Sequence, residues 1–180
     1  METAGRREVS SAELVWLFKL STKGPLQTDS IYLVKGKDMN KQFVANATTV
    51  INAPASKVWE ALTKPELIKQ YMFGTDVISD WKVGSPIIYR GEWQGKPFED
   101  KGKILEMERE RSLVSTHWSP LSGMPDTPEN YHKVSYRLKE MDGRTEVTFT
   151  QDNNANEKEK ADSEQNWRQM LEGLKKLLEK

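Results

Sequence analysis

The 180-residue chain contains no cysteine. Disulfides and thiolate chemistry are therefore excluded, and a reducing compartment is the expected setting. Histidine is nearly as scarce, with only His117 and His132. Two histidines without a thiolate do not make the usual donor set of a transition-metal site, so no metal is expected. An excess of one charge is also missing: 27 basic and 27 acidic residues cancel, and the pI is about 6.8. That balance lacks the electrostatic footprint of a nucleic-acid binder. No apolar run approaches the ~20 residues of a membrane span. The island at 14–18 (LVWLF) is short, is followed at once by Lys19, and has no small-residue cleavage pattern after it. No secretory signal is expected, and a cytoplasmic location is the default. The glycines at 91, 95 and 102 lack the Gly-x-x-x-x-Gly-Lys spacing of a phosphate loop. No nucleophile–base motif appears, so no catalytic residue and no cofactor is assigned.

What the chain does contain is organised around its last stretch, 165–180 (QNWRQMLEGLKKLLEK). Trp167, Met170, Leu171, Leu174, Leu177 and Leu178 recur with the 3.6-residue period of a helix and form one apolar stripe. Arg168, Gln169, Glu172, Lys175, Lys176 and Glu179 lie off it and can face water. Such a stripe needs a partner surface, and the preceding sequence offers mainly strands, so the expected partner is one face of a sheet. Gly173 interrupts the helix either as a tolerated defect or to permit a close contact.

Residues 43–51 (FVANATTVI) are rich in β-branched side chains and read as a strand. Asn52 and Pro54 then suit the start of a short helix with Val58, Trp59, Ala61 and Leu62 on its apolar face. Thr63-x-x-Glu66 resembles a capping box for a second helix, carrying Leu67, Ile68, Tyr71 and Met72 and stopped by Gly74. Strands are expected near 75–81, 86–93, 97–107, 111–118, 131–138 and 144–151. The Asp142-Gly143 turn predicts a type I′ hairpin. Short turns between consecutive strands predict an antiparallel sheet. The connection 119–130 carries three prolines and a glycine, and is either a mobile lid or a plain irregular loop. The capping pattern Asn154-x-x-Glu157 places the start of the last helix, in preference to a later start at Asp162. Residues 1–38 differ in composition and read as an N-terminal arm, peripheral to a compact body over 39–180.

The element order is strand, two short helices, six antiparallel strands and a long C-terminal helix. Its sequence carries INAPASKVWEALTKPELIKQYMF (51–73), DWKVGSPIIYRG (80–91), GKILEMERERSLVSTHW (102–118), TEVTFTQ (145–151) and NWRQMLEGLKKLLE (166–179). On these residues the chain resembles the family named after the C-terminal domain of the activator of heat-shock protein 90 ATPase, within the START-like helix-grip superfamily. The resemblance covers about residues 42–179. It departs at Val83-Gly84-Ser85, where many relatives carry two glycines. It implies an α+β helix-grip fold: a curved antiparallel sheet of about seven strands wrapped around the C-terminal helix, with an internal cavity. It implies no single shared reaction.

In the strand at 131–138, His132, Val134, Tyr136 and Leu138 share the face expected to look inward. In the strand at 111–118, Val114, Thr116 and Trp118 are chosen as inward. If the sheet stands off from the last helix, Thr116, Trp118, His132, Tyr136 and Trp167, with Tyr71, Tyr89 and Met170, would line an apolar pocket with a few polar groups. The two histidines read as structural or surface residues, or alternatively as a polar anchor in that pocket. Glu106, Glu108 and Glu110 read as a solvated strand end. Three functions are open: a noncatalytic module for an apolar or amphipathic small molecule and, as the resemblance implies, a protein-interaction module with a chaperone partner or an enzyme of the polyketide cyclase or hydrolase type found in related helix-grip families. The expected assembly is a monomer or a weak homodimer.

Overall fold

The computed structural model describes residues 43–93 and 95–180, so the expected arm lies outside the described residues. Seven strands form one open antiparallel sheet: β1 Ala45–Ile51, β2 Asp76–Ser79, β3 Pro86–Trp93, β4 Lys96–Glu108, β5 Ser112–His117, β6 His132–Met141 and β7 Arg144–Gln151. Their order is β1-β7-β6-β5-β4-β3-β2, so β1 closes one edge beside β7 and the short β2 forms the other. Three helices cover one face: α1 Ala55–Thr63, α2 Pro65–Tyr71 and α3 Glu157–Leu178. The α+β helix-grip order expected from the sequence is the order found.

Local signals explain most boundaries, and three helix starts differ from expectation. At α1 the cap position is held by Pro54, which has no side-chain donor or acceptor. Glu140 of β6 takes over, its carboxylate accepting from the Ala55 N–H at 2.9 Å. This places a negative charge at the positive end of the helix. At α2 the capping box does not form. Lys64 is the cap residue in extended conformation, as Pro65 requires of its predecessor, and the Thr63 hydroxyl donates back to the Trp59 carbonyl. At α3 the box lies two residues later than expected. Asn156 accepts from the Glu159 N–H at 2.9 Å, and the Glu159 carboxylate accepts from the Ala155 N–H at 2.7 Å. Asn154 is committed elsewhere: it is buried and donates to the carbonyls of Phe43 and Gln151.

The apolar stripe of α3 buries Met170, Leu171 and Leu174, with Trp167, Leu177 and Leu178 packed around them. The helix lies chiefly over β1 at one edge of the sheet. Val147 and Phe149 of β7, Ile51 of β1 and Val58 of α1 complete a core that excludes water almost entirely. Gly173 sits against Tyr71 of α2, and an added methyl there would make ordinary contact with the Tyr71 carbonyl at 3.4 Å. Asp142 and Gly143 both have positive φ, as the type I′ hairpin between β6 and β7 demands. Gly102 of β4 is constrained differently: an added Cβ would fall 1.9 Å from the Thr116 carbonyl oxygen of β5. Just beyond it the β4–β5 register shifts between Ile104 and Glu106, a bulge that bends the sheet. No helix among the described residues is long and apolar enough to cross a membrane.

Candidate functional site

Directly paired residues of antiparallel strands point to the same face. Leu113 pairs with Tyr136, Ser115 with Val134 and His117 with His132. The helix-covered face of β5 therefore carries Leu113, Ser115 and His117, and the expectation of Val114, Thr116 and Trp118 is corrected by one residue. The error has a physical cause. Ser112, Leu113, Val114 and Ser115 are all buried, so β5 shows no alternation from which a face can be read.

Thr116 and Trp118 instead serve the opposite face. The Thr116 hydroxyl accepts from the Lys103 N–H at 3.0 Å. Trp118 stacks on Tyr131, its Nε1 donates to the Met124 carbonyl, and the Lys101 ammonium lies 5.5 Å from its ring centroid. Asp126 joins this group, accepting from Lys101 at 2.8 Å and from the Tyr131 hydroxyl at 2.7 Å. That hydrogen bond to Asp126, with partial burial, pushes the Tyr131 phenol up to about 12. The connection 119–130 is thus tied down, with short 3-10 turns at Pro120–Ser122 and Pro128–Asn130. It does not cover the helix-side face as a lid.

The helix-side face holds a narrow cleft between α2 and strands β3, β5 and β6. Tyr71, Tyr89 and Tyr136 line it together with Leu62, Ile68, Ile87 and Leu113, and the half-buried Met72 and Trp81 form its rim. Its cavity volume is only about 10 Å³. A water needs roughly that much room, so the closed cleft admits one water and no larger molecule. Burial pushes the phenols of Tyr71, Tyr89 and Tyr136 well above their usual value, and the ionisation of each is opposed by a neighbouring acidic group. All three are neutral hydrogen-bonding groups at physiological pH. The Tyr71 hydroxyl donates to the Ala61 carbonyl at 3.2 Å. The hydroxyls of Tyr89 and Tyr136 have no hydrogen-bond partner among the described residues.

Beyond Tyr89 the same face turns polar. Asp100 of β4 pairs directly with Tyr89 and is 2% exposed. Its Oδ2 lies 3.1 Å from His117 Nε2, while its buried Oδ1 has no partner. The ring of Tyr89 meets His117 edge-on at 5.9 Å. His132, beside His117, contacts the Asp152 carbonyl through Nδ1 at 2.7 Å. Burial lowers the His132 pKa, only partly opposed by that carbonyl. Ser115 shares this face but makes no hydrogen bond to His117, so no nucleophile–base pair is formed. Among the described residues no group of three or more His, Cys, Asp or Glu is placed to hold a metal ion.

Of the residues expected to line a pocket, Tyr71, Tyr89 and Tyr136 come together, and His132 lies on the same face beside His117. Met170 is sealed in the core at 1% exposure. Trp167 packs its ring 3.8 Å from that of Phe149 and donates from Nε1 to Gln151 Oε1 at 2.8 Å. Beneath the polar first half of α3 the sheet does not stand off: Gln151, Asn154, Ser163 and Trp167 form a hydrogen-bonded network there. Leu62, Ile68, Leu113, Trp81 and Asp100 went unassigned. Asp100 was within reach: Trp93 pairs with Lys96, and counting back from that pair sets Asp100 opposite Tyr89.

Comparison with known proteins gives the same architecture. The model of the family described as "Activator of Hsp90 ATPase homolog 1-like protein" matches residues 52–179. The solution structure of ChR145 from Cytophaga hutchinsonii is 57% identical, covers 78% of this chain and 97% of its own, and superposes with a TM-score of 0.70. The solution structure of the Aha1 dimer from Colwellia psychrerythraea is 23% identical, covers 76% of this chain and 96% of its own, with a TM-score of 0.59. CalU16 from Micromonospora echinospora is 21% identical, covers 73% of each chain, and has a TM-score of 0.58. The last two likenesses concern the fold alone. No curated protein matches the sequence.

Proposed function

The chain belongs to the Activator of Hsp90 ATPase homolog 1-like family, and from that premise we propose that it is a noncatalytic cytoplasmic module that binds a small amphipathic molecule in the cleft between α2 and the sheet. The observation that carries this reading is the pair of hydroxyls on Tyr89 and Tyr136, which line an otherwise apolar cleft without a protein partner. Both residues are half-buried and neither hydroxyl is sealed from solvent, so each can be met by a molecule in the cleft. Two such groups converging on one apolar slot are the usual composition of a small-molecule site. The ligand's apolar body packs against Leu62, Ile68 and Leu113, and its polar end reaches the phenols. Entry requires the rim to move, because the closed cleft is only one water wide. Phe73 and Gly74, consecutive residues with positive φ at the end of α2, supply a joint at the rim.

The narrowness of the cleft favours a second reading, a protein-interaction module with a chaperone-type partner. Phe73 and Val83 are 56% and 63% exposed within the α2–β2 and β2–β3 connections and offer apolar contacts for it. Native mass spectrometry of protein purified from its own host separates the two. A copurified small molecule, displaced or weakened by Tyr136→Phe in a protein that remains folded, is the expected result. A stoichiometric protein partner with an empty cleft overturns the small-molecule reading in favour of the second.

A further inference from the structure

A cleft one water wide admits a ligand only if part of its wall yields, and the wall is unequally held. Strands β3, β5 and β6 are each paired along both edges. Strand β2 is the shortest of the seven, lies at the edge of the sheet, and pairs with β3 alone. Its Val77 pairs directly with Tyr89, so the two side chains share a face and β2 flanks that tyrosine. Both rim residues bracket this strand: Met72 precedes it and Trp81 follows it.

Little holds this stretch down. Between Met72 and Val83 only Thr75 and Val77 are buried, while Phe73, Ile78 and Val83 are exposed. The ion pair of Lys69 with Asp76 joins two side chains that are each more than half exposed, and such pairs contribute little. The ends are firmer. The Gly74 N–H donates to the Lys69 carbonyl at 3.0 Å, and the Gly84 N–H donates to the Ile104 carbonyl of β4 at 2.8 Å. Left-handed backbone stands at both ends, at Phe73 and Gly74 and again at Trp81 and Gly84. A φ of +53° is an outlier for a residue as bulky as Trp81, and such conformations gather at clamps and switches. Resting on the small-molecule reading above, we propose that residues 75–83 are the gate of the cleft. The strap peels from β3 as one piece, turning about Phe73–Gly74 at one end and Gly84 at the other. It carries Val77 and Trp81 outward and opens the flank of Tyr89, while α2 and the other strands stay in place.

The chain has no cysteine, so one introduced pair can lock the strap without side reactions. Ile78 of β2 pairs directly with Ile88 of β3. Directly opposed Cα atoms lie about 4.5–5.5 Å apart, within the span of a disulfide. The full chain carrying Ile78→Cys and Ile88→Cys is compared oxidised and reduced, with n-octanol as the probe and stopped-flow tryptophan fluorescence as the readout. Oxidation should slow octanol association by about tenfold or more, and reduction should restore it. Hydrogen exchange of the wild-type chain gives a second readout that survives if the variant fails to fold. Amides of 75–83 should exchange about tenfold faster than those of β1, the other edge strand, through opening short of global unfolding. Equal exchange at the two edges overturns the gate, since an edge position alone would then account for it. Equal association rates in the oxidised and reduced forms also overturn the gate but leave the cleft reading standing. Absence of octanol binding in wild type and in both forms of the variant overturns the cleft reading and the gate with it.

Discussion

Trp167 offers the sharpest quantitative check on how α3 is held. Its indole does two separable things: it stacks on Phe149 at a centroid distance of 3.8 Å, and it donates from Nε1 to Gln151 Oε1 at 2.8 Å. Gln151 is 7% exposed, so its carbonyl oxygen cannot readily turn to water when that donor is lost. Trp167→Phe keeps an aromatic ring on Phe149 and removes only the donor. Leaving a buried acceptor unsatisfied costs about 1–3 kcal/mol. Trp167→Ala removes the ring as well and leaves a cavity, for a total of about 3–5 kcal/mol. Gln151→Leu in the Trp167→Phe background should recover part of the loss, because both partners of the bond are then apolar. Asn154 Oδ1 remains satisfied there by the Ser163 hydroxyl at 2.9 Å. The cycle should show a coupling within about 0.5–3 kcal/mol. Urea unfolding with unchanged slopes reads these values as midpoint shifts. Lys175→Ala, off the apolar stripe of α3, should stay within about 0.5 kcal/mol of wild type. Equal midpoints for Trp167→Phe and Trp167→Ala would refute the role of the Phe149 stack. Zero coupling with Gln151 would refute the role of the hydrogen bond.

Three further outcomes are expected. Gly102→Ala should destabilise by about 3 kcal/mol or more, since its methyl would meet the Thr116 backbone oxygen at 1.9 Å; an unchanged melting temperature would contradict the β4–β5 packing. His132 is held neutral by burial, with a folded pKa below its ordinary 6.5, so the unfolded chain takes up its proton first. Its contribution to stability is full above pH 6.5 and is lost as pH falls below that through the lower folded value. His132→Asn should flatten that acid dependence in urea midpoints, and parallel curves for the two proteins would sink the assignment. Deletion of residues 1–38 should leave a soluble protein that unfolds cooperatively, and an aggregated or molten product would show that the arm belongs to the core.

Periodicity alone specified the elements of this chain. The six-residue apolar stripe from Trp167 to Leu178 requires a helix with one buried face, and the Asp142-Gly143 turn requires a tight antiparallel hairpin. Neither signal depends on anything distant, because each is a property of local backbone geometry. Placement of the elements against one another was less accessible. In β5 four successive buried residues removed the alternation that assigns faces, so Trp118 was expected inside when register with β6 sets His117 there instead. Caps show the same limit: Glu140, 85 positions away, serves the α1 terminus, and Asn154 is withdrawn from α3 to bind Phe43. The tyrosines of the cleft were identifiable as aromatics on inward faces. That Tyr89 and Tyr136 keep free hydroxyls while Trp167 and Met170 are sealed into the core follows only from how α2 and α3 divide the sheet between them. A pairing of Asp100 with His117, 17 residues apart on consecutive strands, exists only once β4 and β5 have met.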